Sequence, residues 1–287
     1  MNKNSKVILI TGCSSGFGLR TAARLAATGH KVFATMRDLS KKDDLVGEVS
    51  LRGGKTKILK LDVTDVKSIE KVVSRIEENE GHIDVLINNA GYGIGGFFED
   101  LEQEEIRAVM ETNFFGVQNV TRAVIPLMRK AKKGLIINLS SIAGFCGFPG
   151  LGAYSASKWA LEGFSESLFF ELAPFGIHVC LIEPGTYKTK IFFENRKYAK
   201  KFFNSQSPYY ETSQKFQKDV NDNVRIGAKD PEEIAILIES LIKSEGRPAF
   251  RNIPDQKTKL ISLLKRFLPV RCYFWTVRFL LHFSSKK

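Results

Sequence analysis

The chain reads as a doubly wound α/β fold, one parallel sheet of about seven strands with helices on both faces. Three observations carry that reading. Short, uninterrupted apolar runs alternate along the chain with amphipathic stretches, the pattern of repeated strand–helix units. The first run, Val7-Ile8-Leu9-Ile10, passes directly into a glycine-rich turn, Thr11-Gly12-Cys13-Ser14-Ser15-Gly16-Phe17-Gly18. And 287 residues with 43% apolar content suffice for one large core.

Strands are expected at 6–11, 31–36, 57–61, 83–87, 134–140, 177–182 and, short and last, 248–251. The first is apolar and β-branched, as a strand buried on both faces should be. The fifth, around Leu135-Ile136-Ile137-Asn138-Leu139, is another apolar run. Helices fill the intervals at 17–28, 66–80, 102–130, 153–173 and 231–243. The first shows a helical period through Leu19, Ala22, Ala23, Leu25 and Ala26. Parallel strands joined this way cross over right-handed, and ligand binds beyond their carboxyl ends. Without repeats or a long linker, one domain is expected over 1–255, with a basic amphipathic extension over 256–287.

Two features carry chemistry. Glycines at a strand-to-helix junction let the backbone turn tightly and approach a pyrophosphate held by the helix amino terminus. Tyr154 and Lys158, four apart on an expected helix, place a phenol and an ammonium on one face. A fixed cation favours the phenolate and brings a group of ordinary pKa near ~10 toward the range of a general acid/base. Ser141, thirteen residues upstream, follows the fifth strand, where a hydroxyl can hydrogen-bond a substrate oxygen. Each feature alone has a plainer reading, as a surface pair or a turn.

Composition sets bounds. The formal charge is +12, and Arg251 to Lys287 holds nine Lys or Arg against one acid, Asp255. Leu260, Ile261, Leu263, Leu264, Phe267 and Leu268 mark an apolar helix face, and the run from Cys272 to Phe283 is apolar and aromatic. That composition suits a helix lying in a membrane interface; a cover over the pocket and a dimer contact are the competing readings. No run is apolar and long enough to span a bilayer, and the start leaves no room for a secretory signal, so a cytoplasmic protein, peripheral to a membrane in the first reading, is expected. Cys13, Cys146, Cys180 and Cys272 are too scattered for a disulfide framework, and His30, His82, His178 and His282 lack ligand spacing, so no metal is expected. Nothing resembles a base-reading module, so no nucleic acid is expected.

Thr11 to Gly18, Asn88-Asn89-Ala90-Gly91, Ser141 with Tyr154 and Lys158, and Pro184-Gly185-Thr186-Tyr187-Lys188-Thr189 together resemble, in order and spacing, the classical short-chain dehydrogenases/reductases. The likeness spans roughly residues 5 to 250, and Met110 to Gly116 with the extension looks most like the 17-beta-hydroxysteroid and retinol dehydrogenase-like members. The resemblance implies a Rossmann-type fold, a catalytic set of Asn113, Ser141, Tyr154 and Lys158, and substrate contacts from Ser141 and Tyr154. Cofactor contacts are implied for Thr11, Gly12, Ser14, Ser15, Gly16, Phe17, Gly18, Arg37, Asp62, Val63, Asn89, Ala90, Gly91, Tyr154, Lys158, Pro184, Gly185 and Thr189. NAD-binding members carry an acid eighteen residues after the last glycine; here that position is Met36, and Arg37 follows. A guanidinium there can pair with a ribose 2′-phosphate, which marks NADP(H) as preferred and NAD(H) as the second option. Asp38 stands against that preference, and Ser15 occupies a position where many NADP-binding members have a basic residue.

The plainer alternatives stay open: Arg37 as a solvated turn residue, Asp62 as a cap, Asn88 and Asn89 as backbone braces, Asn113 as an internally satisfied kink, Pro184-Gly185 as a turn. The family caps its substrate with the segment at about 190–226, where Phe192, Phe193, Tyr198, Phe202, Phe203, Tyr209, Tyr210 and Phe216 crowd together; Phe97, Phe145 and Phe148 are further pocket candidates. So many aromatics suggest a wide pocket for a steroid, retinoid or other lipid-like compound; packing and subunit contacts are the alternative. The expected protein is an NADP(H)-dependent oxidoreductase interconverting an alcohol and a carbonyl on an apolar small molecule, as a homodimer or homotetramer. A 3-oxoacyl thioester reductase is the enzymatic alternative, and a non-catalytic dinucleotide-binding redox sensor the alternative of another class.

Overall fold

A computed structural model describes residues 5–190, 196–244 and 248–280. Seven parallel strands form the main sheet: β1 (Val7–Ile10), β2 (Lys31–Met36), β3 (Thr56–Lys60), β4 (Val85–Asn88), β6 (Gly134–Leu139), β7 (Ile177–Ile182) and β9 (Arg251–Asn252). Their spatial order is β3-β2-β1-β4-β6-β7-β9. The order reverses between β1 and β4, and a crevice opens at the carboxyl ends of strands where it does. The register sets Ile8 opposite Val85, and Val85 opposite Leu135.

The pleat explains why these strands read as continuous apolar runs. Ile8 and Ile10 face one core with Val85, Ile87, Ile137, Leu139, Cys180 and Ile182. Val7 and Leu9 face the other with Leu86, Ile136, Ile177 and Val179. Successive side chains alternate faces, and both faces are covered. Helices α1 (Gly16–Ala27) and α8 (Glu232–Lys243) cover the first, the latter through Ile234, Ile238 and Ile242. Helices α3 (Val66–Glu80), α5 (Gly116–Ala131) and α6 (Gly152–Leu172) cover the second.

The structure differs from the sequence reading in four places. The helix expected over 102–130 is broken: α4 (Gln103–Met110) passes through a widened π turn, Glu111–Phe115, before α5. A helix α2 (Asp43–Leu51) follows β2. The cap region contains β8 (Lys197–Tyr198), paired with β5 (Ile94–Gly95), and the helix α7 (Tyr210–Gly227). The last strand starts at Arg251 rather than 248. The extension forms α9 (Gln256–Phe267) and α10 (Val270–Leu280).

Candidate active site

The glycine turn is shaped by lack of space. Gly12 has φ +72°, and a Cβ there would lie 2.7 Å from Ala90 Cα. At Gly18 a Cβ would lie 2.5 Å from Gly12 O. Both need glycine, one for conformation as well as room. Asn89 braces the turn: its Nδ2 donates to Thr11 O and Gly12 O, each at 2.9 Å, while Thr11 Oγ1 accepts from Asn89 N and Ala90 N, each at 3.0 Å. The Asn89 Nδ2 and backbone N–H are therefore engaged by the protein. Cys13 is fully buried beside Ile10 O, and burial pushes its thiol up to about 12, so it acts as filler.

At the end of β2 the expected acid position, Met36, is buried in the core, and Arg37 is exposed. Asp38, the residue that argued against a phosphate, is turned elsewhere. Its Oδ1 accepts from Ser40 N at 3.0 Å and Ser40 Oγ at 2.7 Å, and these bonds lower its pKa. A cavity of about 380 Å³, lined by Ser14, Ser15, Ser40, Lys41, Asp43, Asp44 and Lys190, lies beside the glycine turn. Asp62 accepts from Thr64 N and Oγ1, a turn closure rather than a helix cap; the cap of α3 is Asp65. The Val63 side chain is buried against Gly116, so only its backbone faces outward contacts.

The catalytic candidates converge at the carboxyl ends of β4 and β6. Ser141 Oγ accepts from Ala143 N at 3.1 Å, and the Ser141 side chain lies close enough to the Tyr154 phenol to lower its pKa. Lys158 is buried, and its Nζ donates to Leu139 O at 2.7 Å. Asn113 sits in the π turn, fully buried, with Oδ1 accepting from Tyr92 N at 3.0 Å and Nδ2 donating to Tyr92 O at 2.9 Å and Ser157 Oγ at 3.0 Å. Asparagine is a weak helix former, and here the widened turn aims its amide inward at a backbone strand end. The internally satisfied kink is thus what the described contacts show for its side chain. Gly91 lies between: a Cβ on it would be 3.0 Å from Asn113 Oδ1 and 3.8 Å from Lys158 Nζ.

The electrostatics correct one expectation. Lys158 Nζ lies 5.9 Å from the Tyr154 ring centre and is turned to a carbonyl. Burial therefore dominates the phenol and raises its pKa, with the Ser141 hydrogen bond opposing. Burial also lowers Lys158 to about 8, opposed by the charge of Glu162.

Pro184 and Gly185 follow β7, and Ile142 N donates to Pro184 O at 2.9 Å. Gly185 N donates to Asp255 Oδ2 at 3.1 Å, and a Cβ on Gly185 would meet Thr258. Asp255 also caps α9 through Thr258 N at 2.8 Å. Thr189 is buried against Gly16, with side-chain carbons 3.5 Å from the position of a Cβ there. The cap aromatics pack largely on one another: Phe97 stacks on Tyr209 at 4.9 Å, and Tyr198, Phe202 and Phe216 interlock, with Phe202 fully buried. These contacts give the cap a core of its own, and Phe192 and Phe193 lie outside the described residues. Sequence reasoning missed Ser157, Glu162 and Asp255. Glu162 was within reach, because Tyr154, Lys158 and Glu162 repeat at helical spacing. Asp255 stood out only as the lone acid of a basic tail.

A glycine turn at the sheet's switch point, Ser141 and Tyr154 brought side by side, and Lys158 buried one helical turn on fit an NAD(P)-dependent oxidoreductase. Residues 6–200 match the family model described as short chain dehydrogenase, and the chain belongs to that family. Among its relatives, 3-ketodihydrosphingosine reductase of Bacteroides thetaiotaomicron is 49% identical over 191 residues, 67% of each chain. Human retinol dehydrogenase 8 is 42% identical over 189 residues, 64% of this chain and 60% of that protein. A short-chain dehydrogenase from Streptomyces avermitilis has the same fold, with a TM-score of 0.76 at 33% identity over 93% of this chain and 97% of that one.

Proposed function

We propose that the protein is an NADP(H)-dependent oxidoreductase interconverting an alcohol and a carbonyl on a lipid-like substrate. The observation that carries this reading is the juxtaposition of the Ser141 and Tyr154 side chains, with Lys158 buried one helical turn away. The glycine turn fits a dinucleotide: Gly12 and Gly18 have no room for a Cβ, and the neighbouring cavity has space beside Ser14 and Ser15. Thr11, Gly12, Ser14, Ser15, Gly16, Phe17 and Gly18 would hold the pyrophosphate end. Arg37 would take the 2′-phosphate, Asp62 and the Val63 backbone the adenine, and Ala90, Gly91, Pro184, Gly185 and Thr189 the nicotinamide half. When bound, the cofactor supplies or accepts hydride.

The chain's own residues handle the proton. A phenol whose pKa is raised keeps its proton at neutral pH, which suits Tyr154 to donate to a carbonyl oxygen. Ser141 hydrogen-bonds the same oxygen and holds the phenol in place. Asn113 fixes Ser157 and Tyr92, and the Lys158 ammonium is held at Leu139 O one helical turn from Tyr154. The substrate class rests on relatives named for a long-chain ketone and an apolar alcohol.

The extension supports a lipid surface as partner. Its inner side is pinned: Lys265 Nζ donates to Phe145 O and lies 4.2 Å from the Trp159 ring centre, and Tyr273 Oη donates to Cys146 Sγ at 3.2 Å. Its outer side exposes Leu260, Leu263, Phe267, Val270, Phe274 and Trp275 between basic residues, a pattern that complements an anionic bilayer. No helix of the described residues is long and apolar enough to cross one.

The test is NADPH and NADH oxidation with carbonyl compounds graded from short-chain ketones to retinal and a long-chain 3-ketone, with Tyr154→Phe as control. Rates that rise with apolar bulk and favour NADPH are expected. Activity confined to acyl thioesters would hand the substrate to the 3-oxoacyl alternative. Cofactor binding without turnover on any compound would favour a sensor.

A further inference from the structure

A second set of buried charges lies directly beneath the catalytic residues. Lys158 and Glu162 occupy successive turns of one face of α6, and each fastens the helix to the end of β6: Lys158 to Leu139 O, Glu162 to the hydroxyl of Ser140. Ser140 precedes Ser141. The other Glu162 oxygen accepts from Arg251 Nη1 at 2.6 Å, and the same nitrogen donates to Glu183 Oε1 at 2.5 Å. Glu183 follows β7, just before Pro184, and Arg251 opens β9. Three neighbouring strand ends and the catalytic helix are thus tied through one guanidinium.

The charges do not balance. Two carboxylates, with Glu162 at 5% and Glu183 at 0% exposure, share a single cation at hydrogen-bonding distance. Glu183 Oε2 is buried and meets no donor. Both acids meet at the same Arg251 nitrogen, and burial raises both, Glu162 to about 7. Neighbouring acids that cannot both ionise hold a proton between them. Lys158, Ser140, Glu183 and Arg251 are the charged and polar groups facing Glu162 from α6, β6, β7 and β9.

We propose that Glu162 is a positioning residue of this enzyme: it shares one proton with Glu183 under the guanidinium of Arg251, and its negative charge keeps Lys158 in the ammonium form. The inference rests on the reading of Tyr154 and Lys158 as the acid/base pair. Glu183 is the partner that keeps the proton, because its outer oxygen has no other donor. The cluster also fixes the level of Ser141, since a Cβ on Gly144 would strike both Ser140 Oγ and Glu162 Oε1 at 2.6 and 2.8 Å.

The experiment is a pH titration of the Lys158 side chain in the full-length protein by NMR of ¹³Cε-labelled lysine, assigned with Lys158→Arg. Glu162→Gln preserves shape and removes the charge, so the Lys158 titration should move to lower pH by ~0.5 to 1 unit. Glu183→Gln imitates the protonated partner and should leave it in place. In the wild-type protein the same resonance should show a smaller second inflection near neutral pH, as the shared proton leaves, and this reading needs no variant to fold. Equal shifts in both amide variants, or no shift and no second inflection, would overturn the proposal. The resonance is read without substrate, so this failure is separate from that of the oxidoreductase reading, which full turnover by Tyr154→Phe would sink.

Discussion

Lys158 is a residue whose function works against its surroundings. Its folded pKa of about 8 lies below the ordinary 10.5. Below pH 8 both folded and unfolded states are protonated and the full cost of burying the ammonium is present. Between 8 and 10.5 the folded state gives up its proton first, the unfolded state binds more protons, and stability climbs. Lys158→Met cannot follow that climb. The stability of the wild type relative to Lys158→Met should therefore improve by about 2 to 3 kcal/mol from pH 7 to pH 10.5, measured by urea unfolding at both pH values. A gap that stays constant across that range would contradict the assigned burial cost. The variant should also lose turnover, a common exchange of stability for activity. For Arg37, whose neighbour Asp38 is engaged by Ser40, Arg37→Ala should raise the KM for NADPH about tenfold, or about 1.4 kcal/mol, and leave that for NADH nearly unchanged. Equal effects on both cofactors would mean the guanidinium is a solvated turn residue. That Tyr154, Lys158 and Ser141 form one cluster was legible from their spacing; the surroundings of their charges were not, because burial and the aim of Nζ at Leu139 O are tertiary facts.

At the scale of elements, the sheet was legible almost throughout. Strands buried on both faces write an unbroken apolar signal, and six of the seven fell where the runs lie. The helix over 102–130 was read as continuous because Asn113 costs only a fraction of a kcal/mol in a helix, too little to mark a break. What opens the π turn is a pair of backbone bonds to Tyr92, twenty-one residues away. Asn113→Ala would leave the half-buried Tyr92 N–H and C=O without their side-chain partner, and a loss of about 1 to 3 kcal/mol in urea unfolding is expected. A loss under about 1 kcal/mol would show that the turn is held by packing instead. The cap strands β5 and β8 have two residues each and no readable period, so nothing in the sequence announced them. The glycine turn makes its own prediction: Gly12→Ala must accommodate both φ +72° and a 2.7 Å approach to Ala90 Cα. Cofactor binding by calorimetry should fall at least tenfold.

The whole molecule presents one asymmetric surface. The basic extension lies on the loop that follows Ser141, holding Phe145 and Cys146 with one side and offering an apolar aromatic side to the outside. Flotation with vesicles of mixed phosphatidylcholine and phosphatidylserine should recover the protein at low salt, less at high salt, and little with neutral vesicles. Phe267→Glu combined with Trp275→Glu should abolish recovery while leaving turnover of short-chain ketones intact. Concentration-dependent dimerisation that the same pair abolishes, without flotation, would assign the face to a second copy. Sequence composition foretold the amphipathic tail but not its anchorage, because the anchoring partners, Trp159 and the 145–146 loop, are more than a hundred residues upstream.

The reach of Arg251 has a temporal side. The guanidinium that Glu162 and Glu183 share comes 89 and 68 residues after them, and the carboxylate that receives Gly185 N–H comes 70 residues after it. A chain emerging from the ribosome presents its glycine turn, six strands of its sheet and the helix carrying Tyr154 before any of these partners exists. Until the last strand docks, two buried acids face each other without their cation and the nicotinamide-side turn lacks its fastening. Assembly of the active centre is thereby tied to synthesis of the chain as far as Asp255, and a product truncated before it is left structurally unfinished where the chemistry would occur.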